Sequence, residues 1–471
     1  MKIAIIGTGI SGLTCAYRLH QQHDVTLFEA NDYIGGHTAT VDVVVEGVSY
    51  SVDTGFIVYN DRTYPNFIQM MNEIGVKGRA TQMSFSVRND GNGLEYNGHG
   101  LSHLFAQKRN WFNPKFYAFI REIIRFNKLA KTVVADESVN DQTLGTFLQQ
   151  HQFSDYFSEN YILPMGAAIW SSTLADMRAF PLTFFLRFFL NHGLLDIKNR
   201  PQWYVIEGGS RAYIEPLCRG FADNIQLRSA VEKVQRTSAG IKLQVNGEWQ
   251  SFDQVIFACH SDQALKILGE ESTAVENDIL GCMRYQANEV ILHTDEQWLP
   301  KRSKAWASWN YYIEGGHNQQ HKQPTLTYNM NILQHIRSPH TFCVSLNNGA
   351  NINKQKVLKT FIYDHPVFSL PSIAAQQRAH ELQGKNNSWF CGAYWRNGFH
   401  EDGVVSALNV VKGIEGLTCG DPIASHLTQV SKKTLSQSQS SSATKPLSTK
   451  PRATKPQAAK PQAAKPQQGA A

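Results

Sequence analysis

The sequence of 471 residues has no uninterrupted apolar stretch of about 18 residues, the length that a membrane-spanning helix requires. The nearest run, Phe180–Leu190, is short and contains Arg187. It predicts either a buried core helix or a helix that touches a membrane or lines a substrate site. A secretion signal is also missing, since Met1 and Lys2 lead directly into the apolar segment Ile3–Ile6. We expect a cytoplasmic protein, with peripheral contact to the inner face of the membrane left open.

Cysteine is scarce and scattered. The seven cysteines form no CxxC pair and are odd in number. This pattern argues against a disulfide framework and against a zinc site, so we expect reduced thiols and no bound metal.

Acidic residues are absent from Ser431–Ala471, which holds eight basic residues. Subtracting them from the net charge of +6 leaves about −2 for the rest, so the body is nearly neutral, and we expect no specific nucleic-acid binding outside this segment. The segment ends in the drifting repeat ATKPQAAKPQAAKPQ and has almost no large apolar side chains. It predicts a disordered, extended tail over 430–471, either a solvated spacer or a weak electrostatic tether to anionic lipid or RNA.

What the sequence does contain is a glycine motif at its start. Gly7, Gly9 and Gly12 follow an apolar strand and open a helix that includes Ser11. Gly7 permits a tight turn, Gly9 allows close approach of a pyrophosphate, and Gly12 allows the helix to pack on the strand. The helix N-terminus then offers N–H groups and a favourable dipole to the phosphates.

An acidic residue ends the next strand and makes the motif specific. Glu29 lies seventeen residues beyond Gly12, where its carboxylate suits the two hydroxyls of an adenosine ribose. A second glycine turn, Gly35-Gly36-His37-Thr38, follows closely. A nicotinamide dehydrogenase has no general need of that second turn, whereas a flavoprotein uses it against the flavin end of the pyrophosphate. Asp53-Thr54-Gly55-Phe56 places another small residue beside the expected flavin ring.

These motifs together resemble the flavin amine oxidase and phytoene desaturase superfamily. The likeness rests on GxGxxG followed by E-A-x-x-x-x-G-G, with His37 where arginine is usual, on Arg228–Val234, and on Trp389–Tyr394 with Gly398–Leu408. It implies non-covalent FAD, a backbone contact of Val231 with adenine, and a helix opened by Asp402-Gly403-Val404 that faces the flavin. Cys391 is expected to be a buried thiol rather than a covalent flavin link. The implied cofactor residues are Gly7, Gly9, Ser11, Gly12, Glu29, Ala30, Gly35, Gly36, His37, Thr38, Gly55, Phe56, Val231, Gly392, Glu401, Asp402, Gly403 and Val404.

A narrower likeness rests on Asp53–Asn60, Leu163–Ser171, Asn191–Leu195 and Gly398–Gly403. These runs resemble a bacterial family of NAD/FAD-binding oxidoreductases whose members are often encoded beside methyltransferases similar to cyclopropane-fatty-acid synthase. The likeness covers roughly residues 1–415 and implies fatty-acyl or phospholipid chemistry.

The expected fold class is α/β with two domains. A Rossmann-type FAD-binding domain is predicted from three pieces, 1–65, 204–265 and 385–425, and a mixed helix and sheet substrate domain from 66–203 and 266–384. Residues 61–200 are predicted to be largely helical, with helices near Asn113–Val133 and Thr143–His151.

The candidate catalytic residues are polar side chains within apolar, glycine-containing runs. His192 either orients substrate or is a hydrogen-bonded histidine that fixes a turn, and Tyr394 either flanks the substrate or packs in the core. The full candidate set is His400, His192, Asn191 and Tyr394. Many amine oxidases have a lysine near flavin N5. Alignment of Ala287–Trp298 with that strand places Asn288 or Glu289 there, with Lys301 and Lys304 as substitutes.

These observations predict hydride transfer from a hydrophobic, fatty-acyl or lipid-like substrate to flavin N5. One alternative is an amine oxidase with a polar substrate. Another is an FAD-binding, non-catalytic partner of a lipid-modifying enzyme. A nicotinamide dehydrogenase leaves Gly35-Gly36 and Asp402-Gly403 without a role.

Overall fold

Five strands with almost continuous apolar sequences form a parallel sheet at the centre of the nucleotide-binding region. Their order in space is Ile225–Gln226, Asp24–Phe28, Lys2–Ile6, Gln254–Phe257 and Ser388–Phe390. Alternate residues of the central strand pack into two different cores, Ile3 and Ile5 into one and Ala4 and Ile6 into the other. Both faces are therefore covered, which explains why the strand sequence does not alternate.

The strands of this sheet come from three separated parts of the chain. Each part lies within one predicted piece of the FAD-binding domain, and the chain between these pieces builds the seven-stranded sheet. The computed structural model describes residues 1–135, 142–196, 198–237, 240–315 and 321–418, and all of these lie in one compact unit. The domain boundaries stay predictions, and the predicted tail lies outside the described residues.

A seven-stranded, mostly antiparallel sheet forms the part of the fold outside the nucleotide-binding region. Its order is Val357–Val367, Arg284–His293, Cys343–Leu346, Thr325–Asn329, Trp309–Ile313, Phe85–Asn89 and Leu94–Asn97. Three smaller sheets complete the fold. One pairs Thr40–Val45 with Val48–Asp53, and a second contains Val231–Thr237, Gly240–Val245 and Glu248–Phe252 in that order. In the third, Trp203–Ile206 lies between Tyr59–Asn60 and Gly78–Thr81.

The helices enclose these sheets. Within the described residues their bounds are Ile10–Leu19, Pro65–Glu73, Leu101–Leu104, Pro114–Ala135, Leu144–Gln150, Asp155–Phe157, Leu163–Trp170, Leu174–Ala179, Leu182–Asn191, Ile214–Cys218, Ser261–Leu268, Ala274–Gly281, Met330–Leu333, Leu370–Gln377 and His400–Thr418. None of them is both long and apolar enough to cross a bilayer.

The sequence-based assignments were right for the periodic segments and wrong for one region. Helices Pro114–Ala135 and Leu144–Gln150 confirm two predictions, and Thr143 caps the second through its side chain. Helix Leu182–Asn191 is a core helix, with Phe185, Leu186 and Phe189 buried. The expectation that 61–200 is largely helical overlooked three strands. Two of them form a hairpin around an Asn-Asp-Gly-Asn-Gly sequence, which favours a tight turn over helix.

Candidate functional site

The glycine motif shapes a phosphate-sized opening at a helix N-terminus. Helix Ile10–Leu19 begins after Gly9 and has no side-chain cap, so its first N–H groups are not satisfied by a capping side chain. A Cβ on Gly9 would meet nothing within 4 Å, whereas a Cβ on Gly12 would lie 2.0 Å from the Gly7 oxygen. Gly7 has a φ of +103°, which favours glycine. Gly12 thus serves packing, while Gly9 leaves room beside the helix end for an anion.

The carboxylate of Glu29 is buried and receives four hydrogen bonds from two residues. Thr8 donates from its backbone N–H at 3.0 Å and from its hydroxyl at 2.5 Å. Asn31 donates from its backbone at 2.9 Å and from its side-chain amide at 3.0 Å. The two backbone donors fix the carboxylate, and the two side-chain donors can rotate away in favour of a diol. Ala30, between them, is exposed.

The segment that the sequence assigned to adenine lies beside Glu29. Arg228 N–H donates to the Asn31 carbonyl, and Ser229 N–H donates to the Glu29 carbonyl at 2.8 Å. Val231 follows two residues later and begins a strand with an irregular register. The backbone preceding Val231 is thereby held against the strand end that carries Glu29.

The second glycine turn brings His37 into a group of histidines. Gly35 and Gly36 both have positive φ, and a Cβ on Gly36 would lie 3.2 Å from the Gly9 Cα. The His37 ring lies 5.8 Å from that of His365 and 6.0 Å from that of His260. Desolvation and these neighbouring imidazoles lower the pKa of His37 to about 3. His37 is therefore neutral near pH 7, and its buried Nε2 atom has no partner among the described residues.

Asp53 fixes the loop that leads into Gly55 and Phe56. Its Oδ1 accepts from the Thr40 hydroxyl at 2.6 Å and from the Ser210 N–H at 2.9 Å, and its Oδ2 accepts from the Gln334 amide. Burial raises the pKa of Asp53 to about 6. A Cβ on Gly55 would lie 2.1 Å from the His37 oxygen, so this glycine permits the close approach of the two turns.

His400 lies at the meeting point of these segments. Its Nε2 is 3.1 Å from the Thr38 hydroxyl and 3.2 Å from the Tyr213 hydroxyl, and those two hydroxyls bond to each other. Its ring stacks on Phe56. Desolvation, with a smaller effect of His37, lowers the pKa of His400 to about 3, so the imidazole is neutral.

The last helix begins earlier than the sequence predicted, at His400 rather than at Asp402 or Gly403. Asp402 explains this, because its Oδ2 accepts from the Phe399 N–H at 3.0 Å and extends the helix by one turn. Glu401 accepts from the N–H groups of Asn66 and Phe67 at the start of helix Pro65–Glu73. Burial raises the pKa values of both carboxyl groups.

The first and last helices meet at a glycine. The Ser11 hydroxyl donates to the Gly403 oxygen at 3.0 Å, and a Cβ on Gly403 would lie 2.8 Å from Ile10. Val404 is buried beside this contact, and the N–H of Gly392 donates to Ser406 at 2.9 Å. The N-terminus of helix Ile10–Leu19 and the N-terminus of helix His400–Thr418 therefore pack against each other.

The remaining catalytic candidates are divided by burial. His192 is buried at the end of helix Leu182–Asn191, 3.0 Å from the Phe188 oxygen and stacked on the Phe188 ring. Burial lowers the pKa of His192 to about 4. The hydrogen bond to Phe188 is the arrangement expected of a histidine that fixes a turn, rather than of one that orients substrate. Asn191 is exposed. Tyr394 is buried among apolar side chains, and burial raises the pKa of its phenol.

Neither substitute lysine lies near this region. Lys301 pairs with Asp90 at 3.2 Å, and the backbone of Lys301 bonds Glu95 on strand Leu94–Asn97. That strand is five strands away from Asn288 in the seven-stranded sheet, or about 24 Å at the usual spacing. Lys304 is exposed in the same connection. Asn288 itself is buried and donates to His365 Nδ1 at 3.1 Å.

Cys391 is a fully buried thiol, 3.9 Å from the sulfur of Cys15. The pKa of Cys391 is raised well above its usual range by the contact with Cys15 and by burial. Among the described residues no group of three or more histidine, cysteine or acidic side chains could hold a metal ion.

Three observations fit a bound dinucleotide. The open space at Gly9 adjoins an uncapped helix end, Glu29 presents a fixed carboxylate, and His37 has an unpartnered ring nitrogen beside the second turn. The sequence profile of the flavin containing amine oxidoreductases matches residues 10–340. The chain belongs to this family. Its cofactor is accordingly FAD, and the residues above fit that group.

Individual relatives are distant. The chain is 23% identical over 255 residues to a Mycobacterium tuberculosis protein named as a flavin-containing monoamine oxidase, AofH, over 51% of this chain. The chain spans about half the length of the curated relatives it matches, 53% for this one. Among solved structures, cyclohexylamine oxidase from Brevibacterium oxydans shares 15% identity with a TM-score of 0.62, covering 88% of this chain and 99% of its own. A fatty acid isomerase from P. acnes, described as CLA-producing, shares 13% with a TM-score of 0.57, covering 87% and 98%. These likenesses establish the amine-oxidase-like fold.

Sequence reasoning missed several residues that complete the site. Thr8 and Asn31 hold Glu29, Tyr213 completes the group around His400, and His260 and His365 surround His37. The position of His260, shortly after strand Gln254–Phe257, was a readable signal, because ligands bind at the carboxyl ends of parallel strands. Tyr213 and His365 carried no such signal.

Proposed function

We propose that this protein is an FAD-dependent oxidoreductase that removes a hydride from a hydrophobic, fatty-acyl or lipid-like substrate. The observation that carries the proposal is an aromatic wall next to His400, formed by Phe184, Phe188, Phe368 and Phe399. Phe399 immediately precedes His400, and its ring lies 5.1 Å from that of Phe188. A wall of phenyl rings gives an apolar chain a surface to be buried against. Because phenyl faces also attract ammonium groups, the test below compares both substrate classes.

The wall is continuous with the largest apolar core among the described residues, to which Phe188 and Phe368 belong. Phe184 stacks on Phe368 with ring centroids 5.2 Å apart, and both contact this core. Trp170, Phe185 and Phe189 lie deeper in it. Phe184 and Phe399 are only partly buried. These two rings consequently retain surface that an apolar substrate can cover.

Neither lysine that the sequence suggested for the amine alternative lies near the aligned position, which Asn288 or Glu289 occupies. Lys301 pairs with Asp90 about 24 Å from Asn288, and Lys304 is exposed in the same connection. Family membership and the named relative keep amine oxidation as the second candidate. The experiment below decides between them.

In this proposal the residues of the chain position the substrate and exclude water from it. FAD, when bound, accepts the hydride. His37, His365 and His400 are neutral at pH 7, because desolvation lowers the pKa of each to between about 3 and 4. None of them is a ready source of a proton at that pH. His400 instead links Thr38 and Tyr213, which makes it a positioning residue in this proposal.

The test is anaerobic bleaching of the flavin absorption band by candidate substrates. Unsaturated fatty acids and phospholipids are compared with cyclohexylamine and putrescine. Bleaching by the acyl compounds alone supports the proposal. Bleaching by amines alone overturns it in favour of amine oxidation.

A variant links the substrate class to the wall. Phe399→Ser places a hydroxyl in the wall and should weaken bleaching by acyl compounds through a higher apparent substrate constant. Trp249→Ser, at an exposed position of strand Glu248–Phe252, is the matched control for replacement of an aromatic ring by serine. No bleaching by either class, with tight binding of a lipid-modifying enzyme, would support the non-catalytic alternative.

A further inference from the structure

The apolar run that the sequence associated with a membrane is buried, but a different segment exposes aromatic side chains. Among the described residues, fifteen large hydrophobic side chains are exposed, and five of them lie between residues 101 and 124. The exposed fractions are 75% for Leu101, 52% for Trp111, 91% for Phe112, 44% for Tyr117 and 52% for Ile124. A concentration of this kind marks an interaction surface rather than scattered surface residues.

Trp111, next to Phe112 in the chain, is connected to the helix that follows it. The Tyr117 hydroxyl donates to the Trp111 carbonyl at 3.1 Å, and Trp111 stacks on Phe105 with centroids 4.1 Å apart. From Tyr117 onwards, exposed side chains of helix Pro114–Ala135 recur at intervals of three and four residues, which places them in one row along the helix. That row is Tyr117, Arg121, Ile124, Lys128 and Lys131.

The same segment is strongly basic. Residues 101–131 contain seven Lys and Arg but only one acidic residue, Glu122. Glu122 is engaged by Ser154 and by Arg125, and Lys131 pairs with Asp196 at 2.5 Å. The segment therefore carries a net charge of +6, whereas residues 1–430 as a whole carry about −2. We call Leu101, Lys108, Arg109, Trp111, Phe112, Lys115, Tyr117, Arg121, Ile124, Lys128 and Lys131 the basic aromatic face.

A shallow hollow opens on this face. It has a volume of about 300 Å³ and is lined by Ile124, Asn127, Lys128, Lys131 and Leu195. Asn127 is 9% exposed, and its Oδ1 has no partner among the described residues. Apolar walls with a lysine rim suit a molecule with an apolar part and an anionic group.

We propose that the basic aromatic face docks this protein on the surface of an anionic phospholipid bilayer. Aromatic side chains insert at the level of the headgroups, and lysine and arginine are attracted by anionic lipid. RNA also attracts cations and stacks on aromatic rings, but the aliphatic Leu101 and Ile124 offer no stacking surface for bases. The proposal is independent of the proposed redox function, because no residue of the face belongs to the cofactor site.

The docked orientation would place the aromatic wall close to lipid. Helix Pro114–Ala135 packs on helix Leu182–Asn191, which carries Phe184, Phe188 and Arg187. Helix Pro114–Ala135 would then lie between the bilayer and the helix that carries Phe184 and Phe188 of the wall.

The test is co-sedimentation of the full-length holoprotein with vesicles. Vesicles of phosphatidylcholine alone are compared with vesicles that also contain phosphatidylglycerol. We expect binding that requires the anionic lipid and weakens with salt. The variant Trp111→Ser/Phe112→Ser should bind at least about tenfold more weakly, given the partition energy of one large apolar side chain. Its control, Val44→Ser/Trp249→Ser, removes two exposed hydrophobic residues elsewhere and should bind like the wild type.

A double substitution of two cations distinguishes the contribution of this face from that of the basic tail, because the tail is unchanged in every variant. Arg121→Gln/Lys128→Gln should weaken binding roughly 25-fold, at roughly fivefold for each cation. The matched control Lys233→Gln/Lys242→Gln removes two exposed lysines of the three-stranded sheet and should change nothing. All four variants lie outside the cofactor site, so flavin content should stay at the wild-type value. Melting temperature should fall only in Trp111→Ser/Phe112→Ser, which loses the stack of Trp111 on Phe105.

Insertion is measured with brominated lipid, which quenches tryptophan at headgroup depth. Trp111→Phe should keep binding but lose part of the quenching. Absence of wild-type binding to anionic vesicles overturns the proposal, as does wild-type affinity in both face variants. Binding of single-stranded RNA that is lost in the face variants, without vesicle binding, also overturns it in favour of a nucleic-acid surface.

Discussion

The imidazole of His400 lies flat on the ring of Phe56, with ring centroids 3.6 Å apart and planes 11° apart. The contact joins helix His400–Thr418 to the loop that follows strand Val48–Asp53. It leaves Nε2 directed to the hydroxyls of Thr38 and Tyr213. Stacking and hydrogen bonding therefore fix the ring in one orientation.

His400→Phe keeps the stack but removes the ring nitrogen. We expect a loss of about 1 kcal/mol in the free energy of unfolding, because Thr38 and Tyr213 still bond to each other. Denaturant unfolding measures this loss. Anaerobic flavin bleaching by an effective substrate should also slow, whereas the control Tyr213→Phe should affect mainly stability. Unaltered bleaching in His400→Phe would restrict His400 to a structural role.

Gly9 and Gly12 separate cofactor binding from packing. Gly9→Ala should leave unfolding of the apoprotein unchanged, because the added Cβ meets no protein atom within 4 Å. It should weaken FAD binding, because the methyl group occupies space at the helix end. Gly12→Ala should destabilise the apoprotein, since its Cβ would lie 2.0 Å from the Gly7 oxygen. Thermal melting and FAD titration check both; equal FAD affinity in Gly9→Ala and wild type would contradict the phosphate assignment.

Glu29→Ala should weaken FAD retention by about 1.5–3 kcal/mol, the range for a charge-assisted hydrogen bond. The variant also leaves Thr8 and Asn31 without their shared acceptor, so Glu29→Gln is the matched control that preserves an oxygen. FAD retention by Glu29→Gln should lie between that of Glu29→Ala and that of the wild type. Flavin occupancy after dialysis is the measurement, and wild-type occupancy in Glu29→Ala would remove the ribose assignment.

His192 should make stability fall as pH falls. Its folded pKa of about 4 lies below the ordinary 6.5, so between these values the unfolded chain binds a proton that the native state does not. One such histidine contributes a slope of up to about 1.4 kcal/mol per pH unit. His192→Phe should be shallower than wild type by this amount in denaturant unfolding from pH 6.5 to 4.

The comparison between variants isolates His192, because other buried histidines act with the same sign. Asn191→Ala alters an exposed neighbour that does not titrate, and its curve should run parallel to wild type. Parallel curves for His192→Phe and wild type would show that His192 binds its proton with the same pKa in the folded and unfolded states.

The sequence by itself determined the nucleotide end of this protein. The strand, helix and strand around Gly7, Gly9 and Gly12, and the position of Glu29, follow from local geometry, because glycine conformation and strand ends are local properties. The long helix Pro114–Ala135 was also readable, since its apolar spacing is periodic.

Only the tertiary structure decided which distant side chains meet. Thr38, Tyr213 and His400 are separated by more than 160 residues from one another, and no local pattern relates them. The pKa values of the histidines depend on desolvation by this packing. The buried or exposed state of an apolar segment is likewise a tertiary property, so Phe185 lies in the core while Phe112 projects into solvent, although both occur in aromatic runs.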